Sequence, residues 1–178
     1  MLDDQSRSRY AIDTSAVCDL EGVSPATSYT NDSLVREKVW TGIKRLIEGH
    51  RLVTVYAAKD EFQRRCPTAL DRLGQLSTRF FLQDSVALFS ELPNVLTKSP
   101  YWTRQLNKAK PNRDPADPYL IALASLEGHI IVTNEKHRRD RTNTRGDRIP
   151  DVAERFQGIT CLCLDEFIQR ESLLLVAV

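Results

Sequence analysis

Apolar residues along this chain gather in short blocks of two kinds. Residues 9–14, 51–56 ("RLVTVY"), 129–134 ("HIIVTN") and 159–164 ("ITCLCL") are compact runs rich in aliphatic and β-branched side chains. Such runs are expected of strands buried on both faces. Between them the apolar positions recur at helical spacing. Leu34, Val35, Val39, Ile43, Leu46 and Ile47 form one face of a helix over residues 32–50, with Asn31 or Asp32 as its cap. Residues 57–76 read as helical with a break or restart at Pro67, and residues 83–96 as another amphipathic helix. "KPNRDPADP" is a loop. Asp117 then caps a helix with Pro118 in its first turn, which runs through "YLIALASLE" and stops at Gly128. "IPDVAERFQ" and "DEFIQRE" supply two further short helices.

Strands separated by helices imply βαβ crossovers. The predicted fold is α/β, a three-layer α/β/α sandwich with a mainly parallel central sheet. The chain of 178 residues suits a single domain, with residues 1–8 as a flexible N-terminus and residues 172–178 as an apolar tail. That tail is far too short to span a bilayer, and no membrane association is expected.

In parallel sheets ligands bind beyond the carboxyl ends of the strands. This makes the acids that follow strands informative. Asp13 ends the first strand, Glu61 lies a helical turn after the second, and Glu135 follows the third by two residues. Asp117 opens the helix leading into the third strand and joins them if its loop lies over the same edge. Carboxylates so close raise one another's pKa. A divalent cation relieves that repulsion, and an all-oxygen donor set selects Mg²⁺ or Mn²⁺. Each acid also has a plain structural role: Asp13 as a strand-end cap, Asp117 as a helix start, Glu61 and Glu135 as surface charges. Ser15, Thr133 and Asn134 stand where they would orient ligands or waters. The basic run Lys136, Arg138, Arg139, Arg141, Arg145 and Arg148 begins one residue after Glu135 and is either a solvated loop or a contact for RNA phosphates.

Taken in order, "AIDTSAV", the acid after the second strand, "ADPYLIALA" and "VTNEK" resemble a PIN domain. "RIPDVAERFQGITCLCLDEFIQRE" is similar to the C-terminal part of a PIN-like subgroup related to VapC-type toxins. The resemblance runs from about residue 9 to residue 171. It implies a metal-dependent ribonuclease whose acidic cluster is Asp13, Glu61, Asp117 and Glu135, often a toxin restrained by a protein antitoxin. The fourth acid is commonly Asp in PIN domains and is Glu135 here. Asp60 competes with Glu61 for the second position; the register of "LVTVYAAKDEF" favours Glu61.

The totals add little pull toward any partner. The formal net charge is +1, with 28% charged and 41% hydrophobic residues, so any attraction to RNA must be local. Cys18, Cys66, Cys161 and Cys163 include no Cys-x-x-Cys, and the three histidines have no paired ligand spacing. Buried free thiols and the absence of a signal-like N-terminus predict a reducing cytoplasm. The apolar tail either packs as an extra strand or covers a homodimer or antitoxin surface. A PIN-like module that binds RNA or protein without cutting is the competing reading of the whole chain. A receiver domain would need an acidic pair after the first strand, and a DxD phosphatase would need an acid where Ser15 stands.

Overall fold

The structure, a computed structural model, describes residues 8–22, 32–108, 115–137 and 146–174. The expectations for residues 1–7, Asn31, residues 110–114, Arg138, Arg139, Arg141, Arg145 and residues 175–178 lie outside the described residues.

Five strands form the central sheet: β1 (Tyr10–Ile12), β2 (Leu52–Val55), β3 (Phe81–Leu82), β4 (Ile130–Val132) and β5 (Cys161–Leu162). Their order is β3-β2-β1-β4-β5, and every pairing is parallel. Tyr10 pairs with Leu52 on one side and Ile130 on the other; Ile12 pairs with Val132. The helices are α1 (Thr14–Leu20), α2 (Ser33–Glu48), α3 (Lys59–Arg65), α4 (Pro67–Leu73), α5 (Ser77–Phe80), α6 (Val86–Lys98), α7 (Pro100–Lys108), α8 (Asp117–Glu127), α9 (Ile149–Ala153) and α10 (Leu164–Arg170). They cover both faces, which makes the three-layer α/β/α sandwich. Among the described residues no helix is long and apolar enough to cross a membrane.

The strands carry the core because every residue of β1 and β2 is buried, leaving no polar face to alternate. α8 is apolar nearly all round, with Pro118 to Ala124 buried, and it packs on β1, β2, β4 and α6. The chain direction reverses its sheet order at β1: β2 and β3 extend to one side, β4 and β5 to the other. The carboxyl ends of β1 and β4 therefore flank the switch point, where a crevice opens in such sheets.

Three sequence expectations change. The first strand is shorter than residues 9–14, because Asp13 already caps α1: its backbone is extended at φ −83°, ψ 153°, and its side chain accepts from the Ser15 N–H. Strand end and helix cap are thus one residue. Asp117 is not the cap of α8 but its first residue, since Ala116 occupies the cap position without a side-chain bond. The apolar tail begins as packing rather than as a strand: Leu173 is buried against Gly42 of α2, where an added Cβ would meet Leu173 Cδ2 at 2.8 Å. β3 and α7 are elements beyond those expected.

Cys18 and Cys66 are buried free thiols, as expected; Cys161 is only half-buried and Cys163 is exposed, because β5 ends at Leu162 and Cys163 caps α10 outside the sheet.

Candidate active site at the carboxyl edge of the sheet

Asp13 leaves the end of β1 tied to β4 by its own N–H, which donates to Val132 O at 2.8 Å. Its carboxylate is 7% exposed. The Ser15 hydroxyl and Thr133 Oγ1 both donate to Oδ2, the latter at 3.0 Å, and the Ser15 N–H adds a third bond to the same oxygen. Among the described residues Oδ1 accepts none of these bonds. Burial raises the Asp13 pKa and the hydroxyls pull it back, while the nearby charge of Glu61 raises it again.

The hydroxyls are themselves fixed. Ser15 Oγ accepts from the Asn134 N–H at 3.2 Å, and Thr133 Oγ1 accepts from the Glu135 N–H at 3.1 Å. The Asn134 side chain is employed elsewhere: its Nδ2 donates to Asp19 Oδ2 in α1, and its Oδ1 accepts from Leu164 N at 2.8 Å in α10. Ser15 and Thr133 thus orient Asp13 directly. Asn134 does so through its backbone, its side chain bracing the edge between two helices.

Asp117 reaches the same edge because the crossover helix α8 runs back against the strands, so it starts where they end. Its pKa stands well above the ordinary carboxylate range, through burial first and then the charges of Asp13, Glu135 and Glu61. Glu135 is half-buried, and its Oε2 accepts from Ile149 N at 2.9 Å at the start of α9. Burial and Asp13 raise its pKa, opposed by that hydrogen bond and by Arg148. Glu61, in the first turn of α3, is half-buried and pairs with Arg65 at 2.7 Å, one turn further on. Asp60 is exposed, and it is Glu61 whose charge acts on Asp13, Asp117 and Glu135. Both residues line the same cleft, and Glu61 is the one whose charge reaches the other acids.

Glu61, Asp117 and Glu135 line a cleft of about 820 Å³, together with Asp60; Asp13 is buried and is not part of its lining. Arg64, Lys108 and Arg148 bring positive charge to its walls, and Tyr56, Tyr101 and Tyr119 bring aromatic surface. Of these six the sequence pointed to Arg148, the end of the basic run that starts at Lys136; the separation of the other five along the chain leaves no local pattern. Neither tryptophan offers a ring to the solvent: Trp102 is 2% exposed, its Nε1 donating to Asp147 O at 3.2 Å, and Trp40 is core, its Nε1 donating to Glu21. Lys136 is exposed, and its backbone carbonyl accepts from Arg148 Nη1 at 3.1 Å.

A clasp outside the acidic group sets the far wall. Asp147 accepts from both Nη atoms of Arg155, at 2.9 and 2.8 Å, and from Ser99 Oγ at 2.8 Å. It joins the α6–α7 junction to the segment that carries Arg148.

Among the described residues no three His, Cys, Asp or Glu side chains are drawn into a ready metal cage. Both glutamates are held by other partners, Glu61 by Arg65 and Glu135 by the Ile149 N–H. The donor chemistry nevertheless suits a hydrated hard cation. Mg²⁺ keeps several waters and takes one or two carboxylates directly, and Asp13 and Asp117 are carboxylates whose charge the surroundings leave under-compensated.

The fold and cleft define an α/β sandwich with a carboxylate-lined crevice at the switch point of a parallel sheet. Over residues 10–175 the chain matches the family described as "Domain of unknown function (DUF4411)", and it belongs to that family. No curated protein and no solved structure matches it.

Proposed function

We propose that this chain is a PIN-like, divalent-metal-dependent ribonuclease that hydrolyses RNA phosphodiester bonds in the cleft. The observation that carries the reading is the electrostatic convergence of Asp13, Glu61, Asp117 and Glu135. The charge of Asp13 raises the pKa of Asp117 and Glu135, each more than a hundred positions further along the chain, at the edge where parallel sheets bind ligands, and the charge of Glu61 acts on all three. A structural role for each acid alone does not require them to meet.

Asp13, Asp117 and Glu61 are the residues to hold Mg²⁺ or Mn²⁺, with Glu135 assisting a second ion or its water. The ion supplies charge neutralisation at the phosphoryl oxygens and activation of a water for in-line attack. The chain's own residues do the rest. Ser15 and Thr133 fix the orientation of Asp13. Arg64, Lys108 and Arg148 meet backbone phosphates from the cleft walls. Tyr56 and Tyr101 offer rings for unpaired bases. Water adds to phosphorus, the P–O3′ bond breaks, and the products carry a 5′-phosphate and a 3′-hydroxyl. The resemblance to VapC-type proteins extends the proposal to a cytoplasmic toxin restrained by a protein antitoxin.

The test is incubation of the purified protein with a structured RNA pool and Mn²⁺, beside chelator and Asp13→Asn controls. Cleavage in the first lane alone is the expected result; cleavage that survives either control defeats the mechanism. The engagement of both glutamates by other groups favours one competing reading, a module that binds RNA without cutting it. That module would retain RNA intact in every lane.

A further inference from the structure

Arg65 lies one turn beyond Glu61 on α3, its Nη1 2.7 Å from Glu61 Oε1. Among the described residues it is the one cationic side chain ion-paired to any of the four acids. The other three are met by neutral donors: Asp13 by hydroxyls and an N–H, Glu135 by the Ile149 N–H and Asp117 by its own backbone N–H, while the charge of Arg148 reaches Glu135 without pairing. The Arg65 charge also reaches Asp13, so it acts on the group and not on Glu61 alone.

We propose that Arg65 is the resident counter-ion of this acidic group, holding Glu61 in the metal-free protein and yielding it to an incoming divalent cation. The inference rests on the metal-site reading above. Its physical basis is the weakness of the bond that must be given up. The Arg65 side chain is 51% exposed and the Glu61 side chain 28%, and the pair is an i,i+4 contact on one helix. Exposed pairs of this kind contribute little to stability, so exchange is cheap. A doubly charged ion that several carboxylates face gains more from Glu61 than a single guanidinium at the rim does. Arg65 thereby moderates repulsion among buried acids while the cleft is empty of cations. It also sets the cation concentration at which the group changes partner. The same engagement accounts for the lack of a ready three-acid cage: one of the arms that would complete it is turned toward Arg65.

Manganese binding, followed by the electron paramagnetic resonance of free Mn²⁺, tests the proposal on the full chain. Arg65→Gln removes the competing charge and is expected to tighten Mn²⁺ binding by about three- to tenfold at low ionic strength. Arg65→Lys, which keeps a cation, is expected to stay within about twofold of the parent. An independent readout uses unaltered protein: the Arg65 Nε–H resonance should shift during a Mg²⁺ titration, with the midpoint of the binding curve. Unchanged or weaker binding by Arg65→Gln, with binding intact in the parent, overturns the counter-ion role and leaves the metal site standing. Absence of Mn²⁺ binding by the parent at millimolar ion overturns both. If Arg65→Gln does not fold, the resonance titration decides alone, and a silent Arg65 signal beside a bound ion defeats the proposal.

Discussion

Thr133 holds Asp13 from the neighbouring strand: its Oγ1 donates to Asp13 Oδ2 at 3.0 Å while accepting from the Glu135 N–H at 3.1 Å. One hydroxyl thus couples the acid after β1 to the acid after β4. Thr133→Val keeps the shape and removes both bonds. It leaves a buried carboxylate oxygen and an N–H short of a partner, so stability falls by about 1–3 kcal/mol in urea unfolding. RNA cleavage falls at least tenfold, because Asp13 loses an orienting donor. Thr133→Ser restores most of both.

Burial raises the pKa of Asp13, Asp117 and Glu135, and the charge of Glu61 adds to all three; Asp13 also acts on Asp117 and Glu135. In the unfolded chain carboxylates titrate near about 4. The folded state therefore binds these protons more tightly. Their contribution to stability is fully present below the unfolded values and is lost as pH rises through the raised folded ones. Metal-free protein should lose this increment between mildly acid and neutral pH. Asp117→Asn removes the most strongly repelled charge. It is expected to raise the neutral-pH melting temperature of metal-free protein by about 2–4 °C, roughly 1 kcal/mol, and to flatten the pH profile relative to the parent. Saturating Mn²⁺ reverses the ranking, since the parent gains about 2.7 kcal/mol at a hundredfold excess over Kd. Scanning calorimetry across pH, with and without ion, reads both.

Arg155 binds Asp147 in a two-pronged bond, and the Asp147 side chain is 2% exposed. Arg155→Met leaves the buried carboxylate with Ser99 Oγ as its remaining side-chain donor, which costs about 1–3 kcal/mol for a pair whose arginine faces solvent. The expected fall in melting temperature is about 2–10 °C. The wall bearing Arg148 loosens with it, so KM for RNA rises more than kcat falls.

Leu173 is 3% exposed and packs on Gly42. Leu173→Ala should cost about 2–4 kcal/mol, the range for emptying a buried leucine site. Removing residues 175–178 alone leaves Leu173 in place, and that truncation compared with Leu173→Ala in urea melts isolates its share.

Much of the architecture was legible because β1, β2 and β4 are continuous apolar runs and Gly128 takes the left-handed turn that ends α8, at φ 68°. β3 escaped because two residues, Phe81 and Leu82, adjoin the helix α5 without a turn signal. Asp13 was readable as a rim acid since strand and cap coincide in it. The choice between Asp60 and Glu61 rested on register; both border the cleft, and the Glu61 charge is the one that acts on the other acids. The Asn134 side chain defied prediction because its partners, Asp19 and Leu164, are distant in the chain. Arg65 had a signal in the Glu–Arg spacing of four, a common helix pairing. The Asp147 clasp had none, being closed by Ser99 and Arg155 from opposite sides of the chain.

The sheet order has a consequence for synthesis. β4 inserts beside β1, so Thr133 meets Asp13 only once the 120 positions that separate them have been made. A nascent chain holding β1 to β3 has Asp13 and Glu61 but neither Thr133 nor Asp117. Whatever chemistry this edge performs is withheld from the translating machinery until β4 has been made and docked.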